Sequence, residues 1–137
     1  MPGILIVAHA PLATALRDCV AHVHGACPPR LHALDIEADV PAEAFAQRAA
    51  DALAHVGGDD GVLVLVDAAG ATPCNLARGL LRAHGSVAVL AGVNLPMLLR
   101  AVCYRDEPLQ SLAARALEGG KRGITAMDDN APEAAAC

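Results

Sequence analysis

Two five-residue runs, Ile4-Leu5-Ile6-Val7-Ala8 and Val62-Leu63-Val64-Leu65-Val66, contain no polar residue. A strand with one wet face alternates polar and apolar residues, so an unbroken apolar run of strand length must be covered on both faces. That demands a sheet held between two helical layers, which in practice means parallel strands joined by helical crossovers. The segments between and after the two runs fit this demand. Residues 11 to 24 place Leu12, Leu16, Cys19, Val20 and Val23 on one face at helical spacing, before Pro28 and Pro29 intervene. Leu31 to Ile36 reads as a second, less regular strand, and 41 to 56 as a helix with Phe45, Ala49, Ala52, Leu53 and Val56 inward. After the 62–66 strand a helix is expected from about Pro73 to 83, with Thr72 as its cap and Pro73 at its first position. Val87 to Ala91 then gives a fourth strand, Leu95 to Tyr104 a fourth helix, and Leu109 to about Glu118 a fifth, closed by Gly119-Gly120. Ile124 to Met127 has the composition of a short edge strand.

The expected architecture is an α/β doubly wound sheet in one domain, residues 1–127, with a polar and Ala-rich tail at 128–137. A chain of 137 residues, 55% of them hydrophobic, fills one core and leaves no room for a second catalytic domain. A net charge of -5, with one Tyr, one Phe and no Trp, offers neither the basic surface nor the stacking platforms of a nucleic-acid binder. Apolar runs this short, and an N-terminus without a basic segment, predict a cytoplasmic protein with no membrane insertion. Cys19, Cys27, Cys74, Cys103 and Cys137 are odd in number and show no C-x-x-C pair, which favours reduced thiols over a disulfide frame or a metal site. Cys19 and Cys103 are expected on the apolar faces of helices.

Chemistry is expected where the strands end, because ligand sites in open α/β sheets gather at the carboxyl edge near the switch in strand order. His9 ends the first apolar run and Asp67 follows the third. With strand order 2-1-3-4 those two strands are neighbours about 4.8 Å apart, and the two residues meet. A carboxylate that accepts the Nδ1 proton of an imidazole leaves Nε2 as a nucleophile, able to attack phosphorus. The N-termini of both following helices point at the same place and favour an anion. In the segment Asp67-Ala68-Ala69-Gly70-Ala71-Thr72-Pro73-Cys74-Asn75, small residues allow backbone amides near a ligand, Gly70 permits an unusual turn, and Thr72 can donate to a phosphate oxygen. The plainer alternative is a strand-to-helix turn with a capping Thr and an ordinary exposed histidine. Gly92-Val93-Asn94-Leu95-Pro96-Met97-Leu98 likewise reads, on its own, as a capped turn. The other five histidines, His22, His24, His32, His55 and His84, are expected on solvated surface.

Together, Ile6-Val7-Ala8-His9, Val66-Asp67 through Thr72-Pro73-Cys74-Asn75, and Gly92-Val93-Asn94-Leu95-Pro96-Met97-Leu98 resemble the IIA domains of the mannose family of the bacterial phosphoenolpyruvate-dependent sugar phosphotransferase system. The three motifs stand in the family's order and approximate spacing, and the resemblance runs from residue 3 to about 127. It implies a four-stranded parallel sheet of order 2-1-3-4, helices on both faces, and a C-terminal antiparallel edge strand exchanged in a homodimer. It implies a phosphotransferase with a phosphohistidine intermediate at His9, supported by Asp67, with Ala10, Gly70, Ala71 and Thr72 around the phosphate. No cofactor or metal is implied. The phosphoryl group would come from phosphoenolpyruvate through enzyme I and the carrier HPr, and pass to a separate IIB protein in sugar uptake or a regulatory branch. Two other outputs fit the same residues: a phosphoryl donor subunit for dihydroxyacetone kinase, and a non-catalytic module that binds a small anion. The chain departs from the family pattern at Ala10, where Gly is common, at Ala69 and Ala71, and at Cys74, where Phe is usual.

Overall fold

The two apolar runs become the two central strands. In the computed structural model, which describes residues 1–70, 72–83 and 86–129, β1 (Gly3–His9) and β3 (Val62–Val66) pair in parallel, with Ile4 opposite Leu63 and Val7 opposite Val66. Every side chain from Ile4 to Ala8 and from Leu63 to Val66 is wholly buried, as strands covered on both faces require. The flanking strands β2 (Leu31–Ile36) and β4 (Val87–Ala91) are also parallel and complete the order β2-β1-β3-β4.

Among the described residues, five helices cover this sheet: α1 (Leu12–His24), α2 (Ala42–Val56), α3 (Thr72–Ala83), α4 (Leu95–Cys103) and α5 (Leu109–Arg122). The two-residue period of a strand sends neighbours to opposite faces, and the core divides accordingly. Ile4, Ile6, Leu63 and Leu65 pack with residues of α1, α4 and α5, including Val20, Leu98 and Leu112. Leu5, Val7, Val64 and Val66 pack with residues of α2 and α3, including Phe45, Leu53 and Leu80. The doubly wound arrangement is therefore as expected.

Several expectations need correction. The inward stripe of α1 is Ala13, Leu16 and Val20; Leu12, Val23 and Cys19 are exposed. A stripe anchored on Ala13 brings the helix close to the sheet and turns its neighbours outward. α5 does not stop at Glu118 but continues through Gly119 and Gly120 to Arg122. These glycines mark close helix packing, not a turn. A Cβ on Gly119 would lie 2.6 Å from Arg100 Cβ, and one on Gly120 would lie 2.8 Å from Met97 Cε. Thr72 is the first residue of α3 and not a flanking cap.

Residues 124–127 form no strand, and Ile124 and Met127 are each 79% exposed. Within one chain this segment pairs with neither sheet edge, β2 or β4, and a strand without a partner ladder does not form. Of the expected tail, Asp128 and Asp129 are exposed and the remainder lies outside the described residues. Cys103 is disulfide-bonded, against the expectation of five reduced thiols; spacing along the chain says little about distances across a fold. His22, His24 and His55 are exposed, as expected, but His32 is half-buried, its ring centroid 5.2 Å from that of His55. His84 lies outside the described residues.

Candidate active site

Because β1 and β3 run side by side in the same direction, their carboxyl ends open on one edge, and His9 and Asp67 stand there together. The His9 amide donates to Asp67 Oδ2 at 3.0 Å, and His9 Nδ1 lies 2.6 Å from the same oxygen. The other carboxylate oxygen accepts from the Ala68 amide at 2.9 Å. A carboxylate can only accept, so Nδ1 carries the proton, and in the neutral ring Nε2 keeps its lone pair. The Asp67 side chain is 11% exposed while that of His9 is 54% exposed, so the carboxylate is covered and the ring is open to solvent. Burial pushes the Asp67 carboxyl up, but the bonds from the His9 ring, the His9 amide and the Ala68 amide together hold it below the usual value.

The surrounding residues contribute unequally. The chain passes from β1 into α1 through a cis Ala10–Pro11 peptide, and the Ala10 amide donates to the Ile36 carbonyl at 3.0 Å, so that amide is already committed. Gly70 is exposed with φ of 79°, and a Cβ there would meet nothing within 4 Å. Its glycine requirement is thus conformational, not spatial. Thr72 is exposed at the start of α3, and Ala71 lies outside the described residues.

Two residues beside the site carry no motif and were not anticipated from sequence. Asp35 on β2 accepts the Thr14 amide on Oδ1 at 3.1 Å and the Thr14 hydroxyl on Oδ2. A Thr at the third position of a helix, with an Asp on the strand beside the one that leads into it, is the only signal the sequence offers. The motif at 92–98 does what a capped turn does: Asn94 Oδ1 accepts the Met97 amide at 2.9 Å, and its Nδ2 donates to the Gly120 carbonyl at 3.0 Å. It ties α4 to the end of α5 and does not bond to the His9–Asp67 pair. Among the described residues, no group of three or more His, Cys, Asp or Glu side chains could hold a metal ion.

An imidazole with Nδ1 held by a carboxylate and Nε2 open at the carboxyl edge of a parallel sheet has the arrangement a nucleophile needs. The comparisons with known proteins show the family of the chain. The family described as EIIA-man, "PTS system fructose IIA component", matches residues 3–117. The chain is 37% identical over 86 residues to the "PTS system mannose-specific EIIAB component" of Escherichia coli (strain K12), a match covering 61% of this chain and 27% of that protein. It thus spans about a quarter of the length of that relative. Among solved structures, the "Mannose/sorbose specific IIA subunit of phosphotransferase system" from Enterococcus faecalis superposes with a TM-score of 0.83 at 25% identity, over 96% of this chain and 97% of that one. The "phosphotransferase system component EIIA" from Streptococcus agalactiae shares the fold, with a TM-score of 0.82 at 24% identity, over 92% and 97% of the two chains. The chain belongs to the mannose-type IIA component family of the sugar phosphotransferase system, a family of phosphotransferases. No helix among the described residues is long and apolar enough to cross a membrane.

Proposed function

We propose that the chain is a phosphoryl carrier in which His9 Nε2 accepts a phosphoryl group from phosphorylated HPr and passes it to a separate IIB protein. The observation that carries this reading is the 2.6 Å contact between His9 Nδ1 and Asp67 beneath an exposed ring. In the transfer, the donor's P–N bond breaks as a bond forms between phosphorus and Nε2, and the donor imidazole recovers its electron pair. The Nδ1 proton stays on His9. The ring gains positive character, which the buried Asp67 carboxylate offsets. Thr72 and the backbone around Gly70 flank the outgoing phosphoryl oxygens, whose charge is spread in a loose transition state. The protein needs no cofactor of its own and works in the cytoplasm, in sugar uptake or its regulation.

The carrier acts as a homodimer through its C-terminal segment. Support comes from Ile124 and Met127, each 79% exposed, and from β4, an edge strand whose side chains from Val87 to Leu90 are only half-buried. Apolar groups in both places are satisfied if the segment of one protomer pairs with the sheet edge of the other.

The test is intact mass at neutral pH after incubation with phosphoenolpyruvate, enzyme I and HPr. Wild type gains one phosphoryl group, labile to acid and hydroxylamine, and His9→Ala gains none. A phosphorylated His9→Ala chain refutes the assignment.

A further inference from the structure

On the edge strand β2, His32 pairs with Leu5, four residues before His9 on β1, which sets it about 13 Å along the sheet from the phosphoryl site. Leu5 lies on the face that α2 covers, and the His32 ring meets the ring of His55, in the last turn of α2. Their centroids are 5.2 Å apart and their planes are tilted by 56°. A metal ion sits in the plane of each imidazole that binds it, so parallel stacked rings cannot share one and tilted rings can. A zinc–nitrogen bond of about 2.1 Å places the metal about 3.2 Å from a ring centroid, so two imidazoles at a tetrahedral angle have centroids about 5.2 Å apart. The observed spacing is the one a shared tetrahedral cation requires. Neither ring is hydrogen-bonded among the described residues, so both have a nitrogen lone pair to give. Burial, His55 and Arg17 hold His32 below the usual imidazole value, which keeps it in the neutral form that binds metal.

We propose that His32 and His55 form a binding site for a divalent cation of the zinc type, each ring giving one nitrogen and water filling the remaining positions. Imidazole suits the late first-row metals, zinc, copper and nickel, and not magnesium or calcium. The two rings line a groove of about 440 Å³ together with Arg48 and Asp51. Water takes about 30 Å³ a molecule, so the cation and its waters fit. Asp51 stands four residues before His55, on the same face of α2, and adds a negative charge to the groove. The cations nearby are offset, Arg48 by Glu37 at 2.7 Å and Arg17 by Asp18 at 3.2 Å. With two protein ligands the site is open and exchangeable, unlike the closed four-ligand shell of a structural zinc. Occupancy joins the edge strand to the helix that covers it, and so favours the native state by mass action. The site is separate from His9, and the proposal stands whether or not His9 carries phosphorus.

The experiment titrates the full chain with zinc chloride in a calorimeter, at neutral pH in a buffer that does not chelate. Wild type and His9→Ala are each expected to take up zinc at a saturable site that is lost in His32→Gln and in His55→Gln, with circular dichroism confirming the fold of every variant. If the half-buried His32→Gln fails to fold, the exposed His55→Gln decides alone. Long-range proton–nitrogen spectra of the 15N-labelled chain locate the ion: zinc is expected to shift the ring nitrogens of His32 and His55 together. The absence of saturable uptake by wild type overturns the proposal. So does a stoichiometry unchanged in folded His55→Gln, the result that zinc held by His9 or by the free thiols Cys19 and Cys27 would give. Ring shifts at His9 without shifts at His32 and His55 overturn it equally.

Discussion

Asp67→Asn is the substitution that discriminates best between an orienting carboxylate and a loop support. Asp67 Oδ2 receives two donors, the His9 amide and His9 Nδ1, and Oδ1 receives a third from Ala68. An amide satisfies only one side. With its oxygen toward His9, its NH2 meets the Ala68 amide, donor against donor. Turned around, it meets the His9 amide in the same way and draws the ring into the tautomer whose Nε2 bears the proton and cannot attack. Either way a bond to an ionised group is lost, worth about 1.5–3 kcal/mol. At about 1.4 kcal/mol per factor of ten, transfer from phosphorylated HPr slows by roughly tenfold to 150-fold. The assay is single-turnover transfer in a rapid-mixing instrument, with circular dichroism confirming the fold. A variant that accepts the phosphoryl group at the wild-type rate refutes the reasoning and leaves Asp67 as a loop support.

Other predictions follow from the same coordinates. The Asp67 carboxyl is held below its ordinary value, so its contribution to stability is complete above the unfolded value of about 3.9 and is lost as pH falls through the lower folded value. Chemical unfolding between pH 7 and 3 should therefore show a decline that Asp67→Asn lacks. His32 is pushed down by burial, by His55 and by Arg17; the unfolded chain takes its proton first, and stability should fall as pH drops below about 6.5, less so in His32→Gln. Gly119→Ala places a Cβ 2.6 Å from Arg100 Cβ and should destabilise by about 1–3 kcal/mol. Gly79→Ala, in α3 with nothing within 4 Å, should stabilise by about 0.5–1 kcal/mol, both read by thermal unfolding. Truncation after Gly123 leaves α5 whole and should give a monomer in light scattering; an unchanged dimer counts against the exchanged segment.

The sheet was legible because continuous apolar runs such as 4–8 and 62–66 admit few fates, and because strand order brings His9 to Asp67 once parallel pairing is granted. What sequence misread depends on neighbours distant in the chain. Gly119-Gly120 looks like a stop until Arg100 and Met97 are seen against it. The face α1 buries is chosen by how closely Ala13 approaches the sheet, and hydrophobic spacing alone points to the wrong stripe. Asp35 is an unremarkable strand residue until Thr14 is folded onto it. Asn94, by contrast, belongs to one of the three motifs that carry the family resemblance and fixes two helices to each other.

The central claim is that Asp67 holds Nδ1 so that phosphorus is carried on Nε2 of His9. Long-range proton–nitrogen correlation spectra of the 15N-labelled chain, recorded after phosphorylation at neutral pH, read both nitrogens of that ring at once. The account predicts phosphorus coupling at Nε2 and a retained proton at Nδ1. Phosphorus on Nδ1, or on any other side chain, would contradict it.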